Sequence, residues 1–390
     1  MPKTPKEVTY SQNDLIAKIL GDSVESRASD IHIDPTKTEL IIRFRIDGIL
    51  HSVEKMGANL AEELVSRIKV LAQMNITERR HPQDGHFEFN HGDSVMNVRV
   101  ATYPTIHGEA VAMRILNDEA MLLPLKTLGL EEDQFEALDT LIKSPFGMIF
   151  VTGPTGSGKS TLLYSILNTY DRIKNNIITV EDPVELSMNG MRQLQINESL
   201  DLTFANAMRS VLRQDPDILM VGEVRDSDTA EMAFQAALTG RLVYSTFHTF
   251  DLPSLVTRFH ELGVPFTVIS QGILGVVSKR LVRTVCKNCA QEYEPTDTEQ
   301  AILGDKKVKS AVKGAGCDSC MLSGYQGRTG IFEVVPFDDD LRSYILEKRP
   351  AAEIKELLSN KGIKTMKNAA VEKLKRGETT LEEIGRVLGV

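Results

Sequence analysis

Phe146–Tyr170 reads FGMIFVTGPTGSGKSTLLYSILNTY, and it decides the fold of the larger part of the chain. The apolar run Met148-Ile149-Phe150-Val151 leads into Gly153-Pro154-Thr155-Gly156-Ser157-Gly158-Lys159-Ser160-Thr161, which fits the phosphate-loop pattern G-x-x-x-x-G-K-[ST]. Beyond the loop, Leu162, Leu163, Ile166, Leu167 and Tyr170 recur at helical spacing. Glycines let backbone N–H groups close around a polyphosphate, because side chains would block the approach and several turns need positive φ. The helix N-terminus adds free N–H groups and a partial positive charge. In this frame Lys159 reaches the β- and γ-phosphates and the Ser160 hydroxyl ligates Mg²⁺, so ATP and Mg²⁺ are the expected cofactors.

Further along, helix and strand signals alternate, which predicts a parallel sheet covered on both faces. Ile177-Ile178-Thr179-Val180, Ile218-Leu219-Met220-Val221 and Leu242-Val243-Tyr244-Ser245 are short apolar runs ending in polar residues. Ligands of open α/β sheets collect at those carboxyl ends. Asp217 to Glu223 is an apolar strand with a carboxylate at its far end, which makes Glu223 the candidate to act on Mg²⁺ through water or on the attacking water itself. Glu181-Asp182-Pro183-Val184-Glu185 adds further carboxylates, Glu185 among the catalytic candidates, and Ser245-Thr246-Phe247-His248-Thr249 brings His248 to a neighbouring strand end.

Upstream, Ile42, Phe44 and Ile46 alternate with Arg43, Arg45 and Asp47 before an Asp47-Gly48 turn, the grammar of a hairpin. Helical spacing over about residues 12–28 and at Leu64, Ile68 and Leu71, with strand signals at 96–100 and 111–115, predicts a small α+β domain over residues 1–117. Residues 118–130 have no clear period and contain Pro124 and Gly129, as an interdomain linker would. An ATPase domain is expected over 131–390, with helices over 339–390 and a capping-box signature at Thr380-Leu381-Glu382-Glu383.

The chain has 390 residues and carries 45 basic against 54 acidic residues, a net charge of −9. That balance argues against a coat for nucleic acid. No apolar run approaches the roughly eighteen residues that span a bilayer, and the N-terminus lacks the apolar core of a secretory signal. A cytoplasmic protein is expected, with membrane contact only through partners. The four cysteines form two C-x-x-C pairs, Cys286/Cys289 and Cys317/Cys320. Four thiolates suit tetrahedral Zn²⁺ with no open site, a structural metal pinning the segment 284–326. Catalytic redox use is the rival, though no thioredoxin-like context surrounds either pair.

GPTGSGKST, TVEDPVE, RQDPDILMVGEVRD and TGRLVYSTFHT, in that order, resemble the Walker A, Asp box, Walker B and His box of the traffic ATPases of type II secretion and type IV pilus assembly, the GspE/PilB group. SDIHIDP, the RIDG turn, ERRHPQDG and RVATYPTIHGEAVAMRIL resemble that family's second N-terminal domain, and RTVCKNC with GCDSCMLSGYQGRTGIFEVV its tetracysteine segment. The resemblance implies an α/β fold: a RecA-like P-loop ATPase core with a smaller N-terminal α+β domain, a zinc segment and a helical C-terminal region. It implies a homo-hexamer at the cytoplasmic face of the inner membrane, with ATP bound between domains and hydrolysis coupled to assembly of pili or pseudopili on a membrane platform protein. It also implies that Arg80, Arg99 and Arg114 approach the nucleotide phosphates, a role that suits the fixed fork of a guanidinium. Arg241 stands where the His box commonly has its first histidine, and His86 where an arginine is usual. The match starts at the second N-terminal domain, so a further domain that docks fuller members on the platform is expected to be absent.

Three alternatives remain open. Within the class, a pilus retraction ATPase is disfavoured by the tetracysteine segment. A nucleotide-gated scaffold with negligible hydrolysis is disfavoured by the set Lys159, Ser160 and Glu223. A DNA-translocating ring would need a basic stripe, and the cluster Lys279, Arg280, Arg283 and Lys287 reads more simply as a solvated face.

Overall fold

A computed structural model describes residues 15–92, 94–116, 121–249, 251–297, 299–300 and 310–389. The start of the first expected helix, residues 118–120 of the expected linker, and residues 301–309 between the cysteine pairs lie outside the described residues. The chain divides into two compact units, one up to Ala120 and one from Met121.

In the first unit the order is α1 (Leu15–Glu25), β1 (Ala28–Pro35), β2 (Glu39–Ile46), β3 (Ile49–Gly57), α2 (Ala61–Leu71), β4 (Gln83–His91), β5 (Ser94–Thr105) and β6 (Gly108–Leu116). The strands form one antiparallel sheet in the order β3-β2-β1-β6-β5-β4. Burial alternates along β2, as expected when one sheet face meets a core and the other does not. Ile31, Ile33, Leu40, Ile42 and Phe44 form that core with Ile16, Ile19 and Leu20 of α1 and Leu64, Val65 and Ile68 of α2. Asp47 and Gly48, at φ 49° and 87°, make the two-residue hairpin turn that needs positive φ at both positions.

The second unit holds a seven-stranded sheet in the order β15-β12-β7-β11-β10-β8-β9. Its parallel centre is β7 (Gly147–Thr152), β8 (Ile177–Glu181), β10 (Ile218–Glu223) and β11 (Leu242–Phe247). The apolar runs are continuous because each strand is buried on both sides. Met148 and Phe150 face one core with Phe234 and Phe259, while Ile149 and Val151 face another with Leu162, Ile166 and Tyr244. Helices α3 (Glu132–Ile142), α4 (Lys159–Leu167), α5 (Phe204–Val211), α6 (Ser227–Leu238), α7 (Leu252–Glu261) and α8 (Phe266–Gly272) complete this layer.

Three features differ from expectation. The sheet is extended by β9 (Arg192–Gln195) and by a long hairpin, β12 (Ile273–Val285) with β15 (Tyr325–Pro336), and this last pair is antiparallel. The small hairpin β13 (Ala290–Tyr293) and β14 (Ala311–Gly314) is inserted between them, next to the cysteines. Within the expected linker, Leu125 and Leu128 are buried against Leu138 and Phe332, and the Leu128 carbonyl accepts from Gly330 N at 3.0 Å, so from Leu125 onward that segment belongs to the second core.

The C-terminal helices are α9 (Asp339–Leu346), α10 (Ala351–Asn360), α11 (Met366–Lys375) and α12 (Leu381–Leu388). The first two join the main core through Leu341, Ile345, Ile354 and Leu358, and the last two pack on Val282 and Ile331 of the long hairpin. Only half of the capping box at Thr380 forms. Its hydroxyl accepts from Glu383 N at 3.1 Å, but the fully buried Glu383 carboxylate turns to Arg283 Nε at 2.9 Å and Arg386 Nε at 2.7 Å. Two charge-assisted bonds outweigh one to a backbone N–H.

Candidate nucleotide and metal sites

The phosphate loop joins β7 to α4. Gly153, Gly156 and Gly158 have φ of 151°, 76° and 79°. A Cβ on Gly153 would stand 2.5 Å from the Lys279 carbonyl, so at that position only glycine lets loop and strand backbones meet. Lys159 is 9% exposed and donates to the Gly153 carbonyl at 2.9 Å and the Pro154 carbonyl at 3.1 Å. Burial lowers its pKa, Glu223 opposes this by attraction, and Arg280 adds to the lowering. Ser157 Oγ within the loop and Thr249 Oγ1 at the end of β11 are buried without a hydrogen-bond partner. An ammonium satisfied only by neutral carbonyls beside an orphaned hydroxyl fits a cradle for phosphate oxygens.

The acid side is set by a bulge. Val221 pairs with Ser245 but Glu223 pairs with Thr246, so Gly222 is the extra residue. Such a bulge re-aims the side chain that follows it, and Thr246 Oγ1 holds the Gly222 carbonyl at 2.6 Å. Glu223 thereby meets Arg225, and its Oε2 stands 3.8 Å from His248 Nε2. Arg225 has its pKa raised by that bond to Glu223 and also faces Asp182 at 3.7 Å. His248 has its pKa lowered, first by burial and then by Lys159, which favours the neutral imidazole. Glu223, Arg225 and His248 border a cleft of about 690 Å³ that runs on to Arg258 of α7 and Lys355 of α10.

Of the other strand-end acids, Glu185 acts on Lys159 by attraction. Glu181 is 4% exposed and locked into the framework by Tyr164, by Thr179 Oγ1 at 2.5 Å and by Gln193 Nε2 at 3.2 Å. Arg241 precedes β11 and bonds Thr239, at the opposite end of the strand from His248. At about 3.3 Å per residue, six residues of strand separate it from the site by roughly 20 Å, so its departure from the His box leaves the acid cluster untouched.

In the first unit, register brings the expected arginines together. His86, Arg99 and Arg114 are cross-strand partners on β4, β5 and β6, and the row continues through Asp30 to Arg45 on the face away from the core. Like charges directly opposite one another are unfavourable, and Asp30 is the carboxylate in this row, at 2.9 Å from Arg114 Nε and 3.6 Å from Arg45 Nε. Arg80 lies outside the row, in the exposed loop before β4, where its N–H donates to Glu78 Oε1 at 2.6 Å.

The cysteines converge as two knuckles at the tip of the long hairpin. All four sulfurs lie within 4.8 Å of one another, with Cys286–Cys317 and Cys289–Cys320 at 3.8 Å and Cys317–Cys320 at 3.7 Å. A tetrahedral ion with metal–sulfur bonds of about 2.3 Å sets its sulfurs about 3.8 Å apart. Backbone N–H groups of Gly316, Cys317 and Gly324 point at Cys289 or Cys320 sulfur at 3.2–3.3 Å, the outer bonds that orient thiolate ligands. The cluster is therefore a metal site.

One reading of the sequence is corrected outright. Lys279 and Arg280 are 2% and 8% exposed, so they are no part of a solvated face. Lys279 Nζ donates to the Gly158 carbonyl of the phosphate loop at 2.8 Å. The strand carrying it has no clean alternation, which left the two cations looking like surface residues.

A glycine-lined loop between a buried parallel strand and a helix, with a bulged acidic strand one place removed across β11, defines a P-loop ATPase core of RecA-like type. The model of the family described as type II/IV secretion system protein matches residues 8–386. The type II secretion system ATPase E of Vibrio cholerae is 44% identical over 380 residues, covering 96% of this chain and 74% of its own length. The type IV pilus assembly ATPase PilB of Thermus thermophilus is 40% identical over 373 residues, covering 95% of this chain and 42% of its own. The structure of the Legionella pneumophila ATPase DotB shares the fold, with a TM-score of 0.70 at 23% identity over 98% of this chain and 96% of that one. The chain belongs to the type II/IV secretion ATPase family and is an ATPase of the type II secretion and type IV pilus assembly kind. Among the described residues no helix is long and apolar enough to cross a membrane.

Proposed function

We propose that Gly153–Thr161 holds Mg–ATP and that Glu223 is the residue acting on the attacking water. The bulge at Gly222 carries this reading, because it sets a carboxylate where it attracts Lys159 and faces His248 at 3.8 Å. Bound Mg²⁺ supplies neutralisation of the β- and γ-phosphate charge, and Ser160 is the hydroxyl this chain offers it. Lys159 exchanges neutral carbonyls for phosphate oxygens. Glu223 orients the water and takes its proton, with Glu185 as a second acid. The neutral imidazole of His248 hydrogen-bonds near the γ-phosphate. Arg80, Arg99 and Arg114 bring guanidinium charge to the phosphates from the domain at 1–117, and the cross-strand pairing of Arg99 with Arg114 supports that role for those two.

The working unit is a homo-hexamer at the cytoplasmic face of the inner membrane, which couples hydrolysis in the domain at 131–390 to assembly on a membrane platform protein. The tetracysteine knuckle holds Zn²⁺, supported by its sulfur spacing. Metal analysis of purified protein should return one zinc per chain, and folded protein without metal would remove the zinc.

Steady-state phosphate release from wild type and Glu223→Gln tests the central claim. A loss on the order of 10²-fold or more is expected for a general base. Equal turnover would take Glu223 out of the mechanism.

A further inference from the structure

β12 and the phosphate loop share more than a boundary. Ser278 pairs with Thr152, the last residue of β7, and their hydroxyls bond at 2.9 Å. Lys279 therefore falls where the loop begins, and its own carbonyl closes on Gly153. Its side chain runs under the loop to Gly158, where an added Cβ would stand 2.9 Å from Nζ. The Gly158 carbonyl already accepts from Leu162 N at 3.1 Å, the first bond of α4, and Lys279 Nζ adds a second donor at 2.8 Å.

This is an unfavourable place for a cation. The ammonium is 2% exposed, stands at the positive end of a helix and shares the loop with Lys159. Arg328 of β15 repels it, and among the described residues no carboxylate pairs with it. Beyond the Gly158 carbonyl its company is the Phe332 ring, with Nζ 5.4 Å from the centroid. Burial, and to a smaller degree Arg328, bring its pKa down to about 7. Buried cations are usually paired, so a buried cation without a matching acid, in the same phosphate loop as Lys159 and at a helix N-terminus, calls for a multiply charged anion.

We propose that Lys279 is a positioning residue of the nucleotide site, which fixes the phosphate loop through the Gly158 carbonyl and supplies a second buried cation that favours nucleotides by their phosphate charge. The proposal rests on the reading of Gly153–Thr161 as the nucleotide cradle. In the free protein Lys279 is the unfavourable member of the site. A polyphosphate in the loop removes the imbalance, so part of the binding energy is the relief of a charge the fold has left uncompensated.

Affinities for Mg–ATP and Mg–ADP, measured by calorimetry on wild type, Lys279→Met, Lys279→Gln and Lys159→Ala, test it together with the melting temperature of each nucleotide-free protein. Lys159→Ala examines the cradle itself: retention of wild-type affinity there would end the underlying reading, whatever Lys279 does. For Lys279→Met, ATP binding should weaken about tenfold and ADP binding about threefold, the scale of one screened buried charge. The nucleotide-free melting temperature should hold or rise, and KM should move more than kcat. Lys279→Gln keeps a donor without the charge and should lose the same preference for ATP over ADP, so it also decides the matter if Lys279→Met fails to fold. Unchanged affinities in the Gln variant, or equal losses for ATP and ADP with a lowered melting temperature, would overturn the proposal.

Discussion

Lys69 in the first unit and Lys279 in the second are 1% and 2% exposed, and the protein treats the two charges in opposite ways. Lys69 is compensated. Its ammonium pairs with Glu109, itself 9% exposed, and donates to the Glu78 carbonyl at 2.7 Å. Gln83 Nε2 donates to the same carbonyl at 2.9 Å, so the pair fastens the loop that carries Arg80. Lys279 has the Gly158 carbonyl, an aromatic face and the repelling charge of Arg328. The first lysine serves the fold, whereas the second waits for an anion that the fold does not contain.

Removing each lysine should separate the two cases. Lys69→Met strands a buried carboxylate, and breaking a buried pair from one side costs about 3–5 kcal/mol. Urea unfolding of the full chain should show that loss in the first unit. Lys279→Met leaves no orphan, since Gly158 keeps its bond from Leu162, and replacing a desolvated charge by a methionine should be neutral or stabilising by about 1–4 kcal/mol. A loss as large as that of Lys69→Met would break the comparison.

A smaller effect is the pH dependence of the difference between wild type and Lys279→Met. With a folded pKa of about 7 against an ordinary 10.5, Lys279 binds fewer protons folded than unfolded between those values. Its contribution to stability therefore rises with pH across that window. Below about pH 7 both states carry the proton and the full penalty is felt, so the methionine variant should lead there. The gap should close as pH approaches 10.5. Arg328 and the helix end are the charges acting on this group, and saturating Mg–ATP should reduce the gap. A gap that is independent of pH would show that Lys279 holds its proton equally well folded and unfolded, with no penalty from burial.

The smallest effect on stability belongs to the basic row. Arg114 is exposed and its bond to Asp30 lies at the surface, so Arg114→Gln should shift stability by no more than about 0.5 kcal/mol. Hydrolysis should nevertheless fall at least tenfold if the guanidinium meets the phosphates, since arginines in that position can be worth about 10³ or more. Full ATPase activity in Arg114→Gln would place this row with Lys69, as part of the framework.

How much of this was legible in the chain varies with the range of the interaction. The phosphate loop, the Asp47-Gly48 hairpin and the cysteine pairs are local patterns, in which residue types a few positions apart meet their own backbone or a shared ion. The sequence also marked Glu223 and His248 as strand-end residues, although the bulge that re-aims Glu223 is visible only where β10 meets β11. The capping box at Thr380 was half right, because Glu383 had stronger partners far away in sequence. Leu125 and Leu128 looked like linker until β15 and α3 covered them.

By itself, then, the sequence determined the short-range chemistry of this protein: a loop able to take a polyphosphate, acids at strand ends, and thiolates spaced for one ion. The tertiary structure decided which charges are compensated. Lys69 and Lys279 look alike as letters in a chain, and each becomes costly only once packing removes its water. Whether a carboxylate then stands within reach depends on strand order and register, which bring Glu109 to one lysine and the phosphate loop to the other.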